Sequence, residues 1–274
     1  RIAHLKSRLR KDLAGESLIC RNEVWEAKIE ALRVIYEHGL RPVRRMAFND
    51  FWRREGRSLT QFATWSALVT RFGGDWREWP AELRRPSSPT VALFAQQHVD
   101  QIIFYAWLQW VADNQLRAAQ SAATDAGMRI GIMNDLAVGV SPWSAEAWTF
   151  GNLFADGIGV GAPPDPFNQA GQDWGQAPWR PDRLDDLSYA PFRNMVAGIL
   201  RHSGGIRVDH IMGMFRLWWI PKGLGPGQGA YVRYNHEAMV GILVLEAQRA
   251  GAVVVGEDLG VVEPWVRDYL RDRG

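Results

Sequence analysis

The sequence predicts an α/β fold, a parallel sheet covered by helices, preceded by an all-helical segment. Three observations predict it. After about residue 94 one order of elements recurs three times: a helical pattern, a glycine stop, a short apolar run and a carboxylate. The apolar runs are near-continuous rather than alternating, as in strands buried on both faces. Residues 1–93, by contrast, hold helical periodicity and no convincing strand.

Residues 1–38 read as helical, with Val24, Ile29, Leu32 and Ile35 near one stripe. Residues 49–95 read as short helical pieces broken by Gly73-Gly74, Pro80, Pro86 and Pro89. A long helix is expected from about Phe94 to Asp125, with Ile102, Ala106 and Trp110 on its apolar side. Gly127 suits the left-handed residue beyond its end. A strand Arg129–Met133 then runs into Asn134 and Asp135. The second unit is a helix from about Leu187 to His202, Gly204-Gly205, a strand Ile206–Val208, and Asp209-His210. The third is a helix from about His236 to Ala250, Gly251, a strand Ala252–Val255, and then Glu257 and Asp258. A last helix starts near Pro264, a residue suited to a first helical position.

Residues 157–181 separate the first two strands and hold five glycines, five prolines, Trp174 and Trp179. A loop of that length inside a compact domain is functional or disordered. Its prolines and aromatics favour an ordered lid.

Composition narrows the function classes. With 47% hydrophobic and 23% charged residues, the chain reads as a soluble globular protein. No run of about 18 apolar residues appears, so no membrane helix is expected, and no secretory signal is visible. Cys20 is the single cysteine, which excludes a disulfide framework and a Cys-based zinc site and fits a cytoplasmic setting. Residues 1–95 hold 18 Lys+Arg against 11 Asp+Glu. Those charges alternate in sign among helical apolar residues, so they read as a solvated helix face rather than a nucleic-acid arm. Tryptophan is unusual at 14 copies; a flat indole can sit in a core or pack on the C–H face of a sugar ring.

A single acid after a strand is commonly a cap or turn residue. Three at equivalent tips converge on one place, the end where a (β/α)8 barrel carries its chemistry. Retaining glycoside chemistry needs two carboxyls roughly 5–5.5 Å apart. Adjacent strands lie about 4.8 Å apart, so acids on neighbouring tips meet that need. Asp209 and Glu257 qualify. Arg207 faces the same side as Asp209 and can keep it ionised and aimed.

These residues sit in recognisable segments. Gly205-Ile-Arg-Val-Asp-His-Ile-Met-Gly213 resembles the nucleophile segment of the α-amylase clan, and Met214-Phe-Arg-Leu-Trp-Trp-Ile-Pro221 narrows it to the 4-α-glucanotransferases (amylomaltases) of glycoside hydrolase family 77. Val255-Gly-Glu-Asp-Leu-Gly260 resembles their acid/base segment, and Asn134-Asp-Leu-Ala-Val-Gly-Val140 their first shared stretch. Gly161–Phe167 with Gly171–Pro178 looks like their long active-site loop, although Pro166 stands where members often carry Phe or Tyr.

The resemblance implies a (β/α)8 TIM barrel, partial in this chain, with an inserted all-helical subdomain: residues 1–93 the insertion, 94–274 the central barrel. It implies Asp209 as nucleophile, Glu257 as acid/base, and sugar contacts from Arg207, His210, Asp135, Asp165, Gln172, Trp174 and Asp258. His210 as a core residue and Asp258 as a turn cap are the bland alternatives, and Trp218-Trp219 reads as core. The implied activity is transfer of α-1,4-glucan segments between maltooligosaccharide donors and acceptors, with no metal or organic cofactor, no nucleic acid and no membrane. A third catalytic acid is expected beyond Gly274 and the first strands before Arg1, so an internal fragment, inactive by itself, is expected. Two other readings stay open: an α-glucan hydrolase or debranching enzyme, and a non-catalytic glucan-binding fragment.

Overall fold

A computed structural model describes residues 2–15, 18–166, 168–259 and 262–273. Phe167 of the proline-rich loop and Gly260 of the acid/base segment lie outside the described residues. Two compact units interleave in sequence: Arg1–Ala67 with Ala95–Trp110, and Leu68–Phe94 with Val111–Gly274. Among the described residues, no helix is long and apolar enough to cross a membrane.

The first unit is helical. Helix α1 (Ile2–Asp12) packs on α2 (Arg21–Glu37), and helices α3 (Pro42–Phe72) and α5 (Val99–Asp125) each supply residues to both units. Its aromatic side chains interlock: Tyr36 meets Phe104 edge-on at 5.3 Å, and Phe48 meets Trp110 at 5.7 Å. Such pairs add about 0.5–1.5 kcal/mol beyond area burial. Helix α3 corrects the expectation of short pieces only in part: its span is two helical stretches, longer than expected, that meet at a kink at Gly56 (φ 56°, ψ −127°). The break at Gly73 is where expected; its φ of 93° ends the helix, and its N–H donates to the Val69 carbonyl at 2.9 Å. The α5 start is also corrected: Phe94 belongs to α4 (Pro89–Gln97), and α5 begins at Val99.

The second unit holds two sheets. The first is parallel, in the order β1 (Met133–Leu136), β4 (Gly205–Val208), β7 (Val253–Gly256). Helix α6 (Ala145–Phe150) follows β1. Helices α7 (Pro181–Asp186) and α8 (Ala190–Leu200) lead into β4, and α9 (His236–Ala250) leads into β7. Val196 and Leu200 of α8, Ile206 and Val208 of β4, and Val240 and Leu243 of α9 share one buried cluster. A final helix, α10 (Pro264–Arg271), adds Val266 to it.

The first strand starts four residues later than expected. Gln120 donates to the Ile130 carbonyl (3.1 Å) and accepts from the Ile132 N–H (2.6 Å), while Gly131 has φ 73°. That side chain takes the hydrogen bonds a ladder would need, so pairing begins at Met133.

The second sheet was not legible in the sequence. It is antiparallel, in the order β3 (Gln172–Gln176), β2 (Ile158–Ala162), β5 (Arg216–Pro221), β6 (Ala230–Arg233). Much of the stretch read as a lid loop is therefore paired strand. Glycine disguised it. A Cβ at Gly161 would lie 1.9 Å from the Gln172 carbonyl oxygen, so this strand needs a bare backbone where its neighbour approaches.

Trp148 of α6 is 1% exposed, donates its indole N–H to the Leu83 carbonyl at 3.0 Å and packs against Trp79. Trp148→Ala should cost about 3–5 kcal/mol, the range for a buried large aromatic. A denaturant midpoint unchanged from wild type would contradict that placement.

Candidate active site

The C-terminal tips of β1, β4 and β7 bring four charged residues together. Register sets the meeting: Asp135 lies opposite Arg207, and Arg207 opposite Val255, two residues before Glu257. The side-chain period of two puts Arg207 and Asp209 on one face. Arg207 Nη1 donates to both Asp135 oxygens (2.7 and 2.8 Å), and Nη2 donates to Asp209 Oδ1 at 2.9 Å. The same Nη2 lies 3.7 Å from Glu257 Oε1.

One guanidinium thus serves three carboxylates. Hydrogen bonding to Asp135, and after it to Asp209, raises the Arg207 pKa against some desolvation, so the cation is permanent. Arg207 thus engages Oδ1 of Asp209 and not Oδ2. The Asp209 N–H donates to the Leu136 carbonyl at 3.0 Å, fixing the residue between β1 and β4. Asp209 and His210 line a cavity of about 210 Å³ with Leu136, Val138, Phe192, Met214 and Leu217.

His210 is left-handed, at φ 49° and ψ 66°. Its N–H donates to Glu257 Oε2 at 2.7 Å. Burial pushes the imidazole pKa down, and the Glu257 and Asp209 charges oppose that shift. The ring meets Trp174 edge-on at 5.4 Å, and the Trp174 indole N–H donates to Gln172 Oε1 at 2.8 Å. Strand β3 therefore brings both residues to the site from the second sheet.

Two residues expected to meet sugar also bond to protein groups. Asp165 Oδ1 accepts from the Asn168 N–H at 2.6 Å, closing a turn between β2 and β3. Asp258 accepts from Arg267 of α10 at 2.9 Å, a side-chain ion pair and not a turn cap. Sequence reasoning missed Gly256, where a Cβ would lie 2.9 Å from Ile211 Cγ1. Its only signal was a glycine directly before the acid. Among the described residues, no group of three or more His, Cys, Asp or Glu is arranged to hold a metal ion.

Comparison with known proteins places the chain among relatives. The chain matches the family model described as 4-alpha-glucanotransferase over residues 2–274. It is 53% identical over 274 residues to the 4-alpha-glucanotransferase of Mycobacterium tuberculosis, covering 100% of this chain and 38% of that protein. It superposes on the amylomaltase from Corynebacterium glutamicum with TM-score 0.84 and 46% identity, over 99% of this chain and 37% of that one. An amylomaltase from Streptococcus agalactiae, solved in complex with acarbose, shares the fold at TM-score 0.81 and 20% identity, over 100% of this chain and 58% of that one. The chain thus spans little more than a third of the first two relatives' lengths.

Proposed function

The chain belongs to the 4-alpha-glucanotransferase family, glycoside hydrolase family 77, and we propose from that premise that the protein carrying it moves α-1,4-glucan segments between maltooligosaccharides. The observation that carries the reading is the single guanidinium of Arg207 shared by Asp135, Asp209 and Glu257 on three neighbouring strand tips. Strands β1, β4 and β7 are read as consecutive members of a (β/α)8 barrel, residues 94–274 as its central part and 1–93 as the helical insertion. The one cysteine accords with a cytoplasmic setting.

The chemistry needs two half-reactions. Asp209 Oδ2 attacks the anomeric carbon while Glu257 gives its proton to the departing glycosidic oxygen. A covalent glycosyl-enzyme results. Glu257 then takes the proton of an acceptor hydroxyl as that oxygen attacks the same carbon and Asp209 leaves, so configuration is retained. The two carboxyls account for every proton and electron pair. Arg207 supplies a fixed positive charge and a hydrogen bond that aim the Asp209 carboxylate. Maltooligosaccharide donors and acceptors follow from this reading, with Trp174 and the neutral His210 as the ring surfaces a sugar would meet.

Disproportionation of maltotriose tests it. The expected products are glucose and longer oligosaccharides. Reducing ends rising in step with bond cleavage would instead indicate the hydrolase reading, since water and not sugar would be the acceptor. Trp174→Ala should raise KM roughly fivefold, the loss of an aromatic face worth about 1 kcal/mol, and increase the hydrolysed share as water gains access. An unchanged KM and product ratio would remove Trp174 from the acceptor path.

A further inference from the structure

We propose that the peptide N–H of His210 anchors the acid/base carboxylate, holding Glu257 Oε2 and so assigning the catalytic proton to Oε1. This deepens the transferase reading and rests on it. The argument begins with the ladder between β4 and β7. Val208 lies opposite Gly256, and the Glu257 N–H donates to the Val208 carbonyl at 2.9 Å. In an unbroken parallel ladder the Glu257 carbonyl would next accept from residue 210. It accepts instead from Ile211, at 2.9 Å.

His210 is therefore an inserted residue, a bulge at the strand tip. Its left-handed backbone turns its N–H out of the ladder and onto Glu257 Oε2, at 2.7 Å. A bulky residue held in that region is a strained feature that the surroundings must impose. Here they do so through Gly256. A Cβ there would meet Ile211 Cγ1 at 2.9 Å and Ile211 Cβ at 3.1 Å, so β7 and the turn after the bulge touch only because residue 256 has no side chain.

The chemical consequence follows from what an N–H can do. It donates, so it stabilises a carboxylate lone pair and cannot face an O–H proton. When Glu257 is neutral its proton sits on Oε1. In the first half-reaction that proton passes from Oε1 to the glycosidic oxygen, which keeps the electron pair of its broken bond to the anomeric carbon. Asp209 Oδ2 supplies the replacement pair. In the second half-reaction the acceptor hydroxyl returns a proton to Oε1. Among the described residues, the Arg207 cation and the His210 ring also act on Glu257. The Arg207 cation approaches Oε1, at 3.7 Å, and the amide holds Oε2. Gly256 and the His210 backbone are positioning elements, acting through Glu257.

The test compares a donor that needs protonation with one that does not. In the full protein carrying this sequence, the His210 amide is replaced by an ester, using the hydroxy-acid analogue of histidine so that the ring stays. For maltotriose kcat/KM should fall about tenfold or more, since general acid catalysis contributes roughly 10²–10⁴-fold. For α-maltosyl fluoride, whose leaving group departs without a proton, it should change less than about threefold. No loss on maltotriose, or equal losses on both donors, would overturn the anchor. If the ester variant does not fold, Gly256→Ala should give the same split, and adding Ile211→Ala should recover maltotriose activity at least about threefold; equal losses, or no recovery in the folded double variant, would overturn it too. A Glu257→Gln control separates this from the parent reading: it should show the split more deeply. Wild-type transfer from maltotriose by Glu257→Gln would sink the transferase assignment itself, whatever residue 210 does.

Discussion

Asp209→Asn, in the protein that carries this sequence, should lower turnover of maltotriose by about 10⁴-fold or more while leaving the fold intact. The amide is nearly isosteric with the carboxylate and its oxygen can still accept from Arg207, now at 2.9 Å from Oδ1. The backbone bond from residue 209 to Leu136 is untouched. What is lost is the electron pair that attacks the anomeric carbon, and with it the covalent route. A 10⁴-fold loss corresponds to about 5.4 kcal/mol of barrier. Melting temperature should stay within a few degrees of wild type. Activity within tenfold of wild type, at equal melting temperature, would take Asp209 out of the mechanism.

Arg207→Lys should lower kcat by about 10²–10³-fold, the second largest effect expected. Lysine keeps the charge and loses the fork. A single ammonium cannot meet Asp135 through one nitrogen and Asp209 through another, as Nη1 and Nη2 now do. Removing one preorganised donor from a reacting centre costs on that order. Stability should barely move, because the Arg207 and Asp135 side chains are 36% and 62% exposed and such ion pairs are worth about 0–1 kcal/mol. That contrast separates the catalytic role from a structural one. A kcat loss under fivefold, or a melting temperature that falls with the activity, would favour the structural role.

The parallel sheet was legible because its signals are local. Helix α9 ends where the sequence says it should: the Asn235 side chain accepts from the Ala238 N–H at 3.2 Å, and Gly251 is left-handed at φ 62°. A capping residue, an apolar period and a glycine suffice to read such an element. The carboxylates at the tips were legible for the same reason, since each directly follows a short apolar run. The antiparallel sheet was hidden because Gly159 and Gly161 break the apolar alternation of β2, and they are there for contact with β3 rather than for their own strand. The start of β1 was hidden because Gln120, on a helix ending five residues later, takes the hydrogen bonds of residues 130 and 132. The anchor on Glu257 was hidden most deeply. It is a backbone N–H made available by a positive φ, and residue type alone does not announce it.

The most direct test of the central claim is to trap the glycosyl-enzyme. Glu257→Gln should form the adduct from α-maltosyl fluoride, whose departure needs no proton, and discharge it slowly, because no base remains to activate the acceptor. Peptide mapping by mass spectrometry should then find one maltosyl group, on the peptide containing Asp209, and none in the Asp209→Asn, Glu257→Gln double variant. An adduct on another carboxylate, or fluoride release with no adduct and an inverted product, would contradict the assignment of Asp209 as the nucleophile.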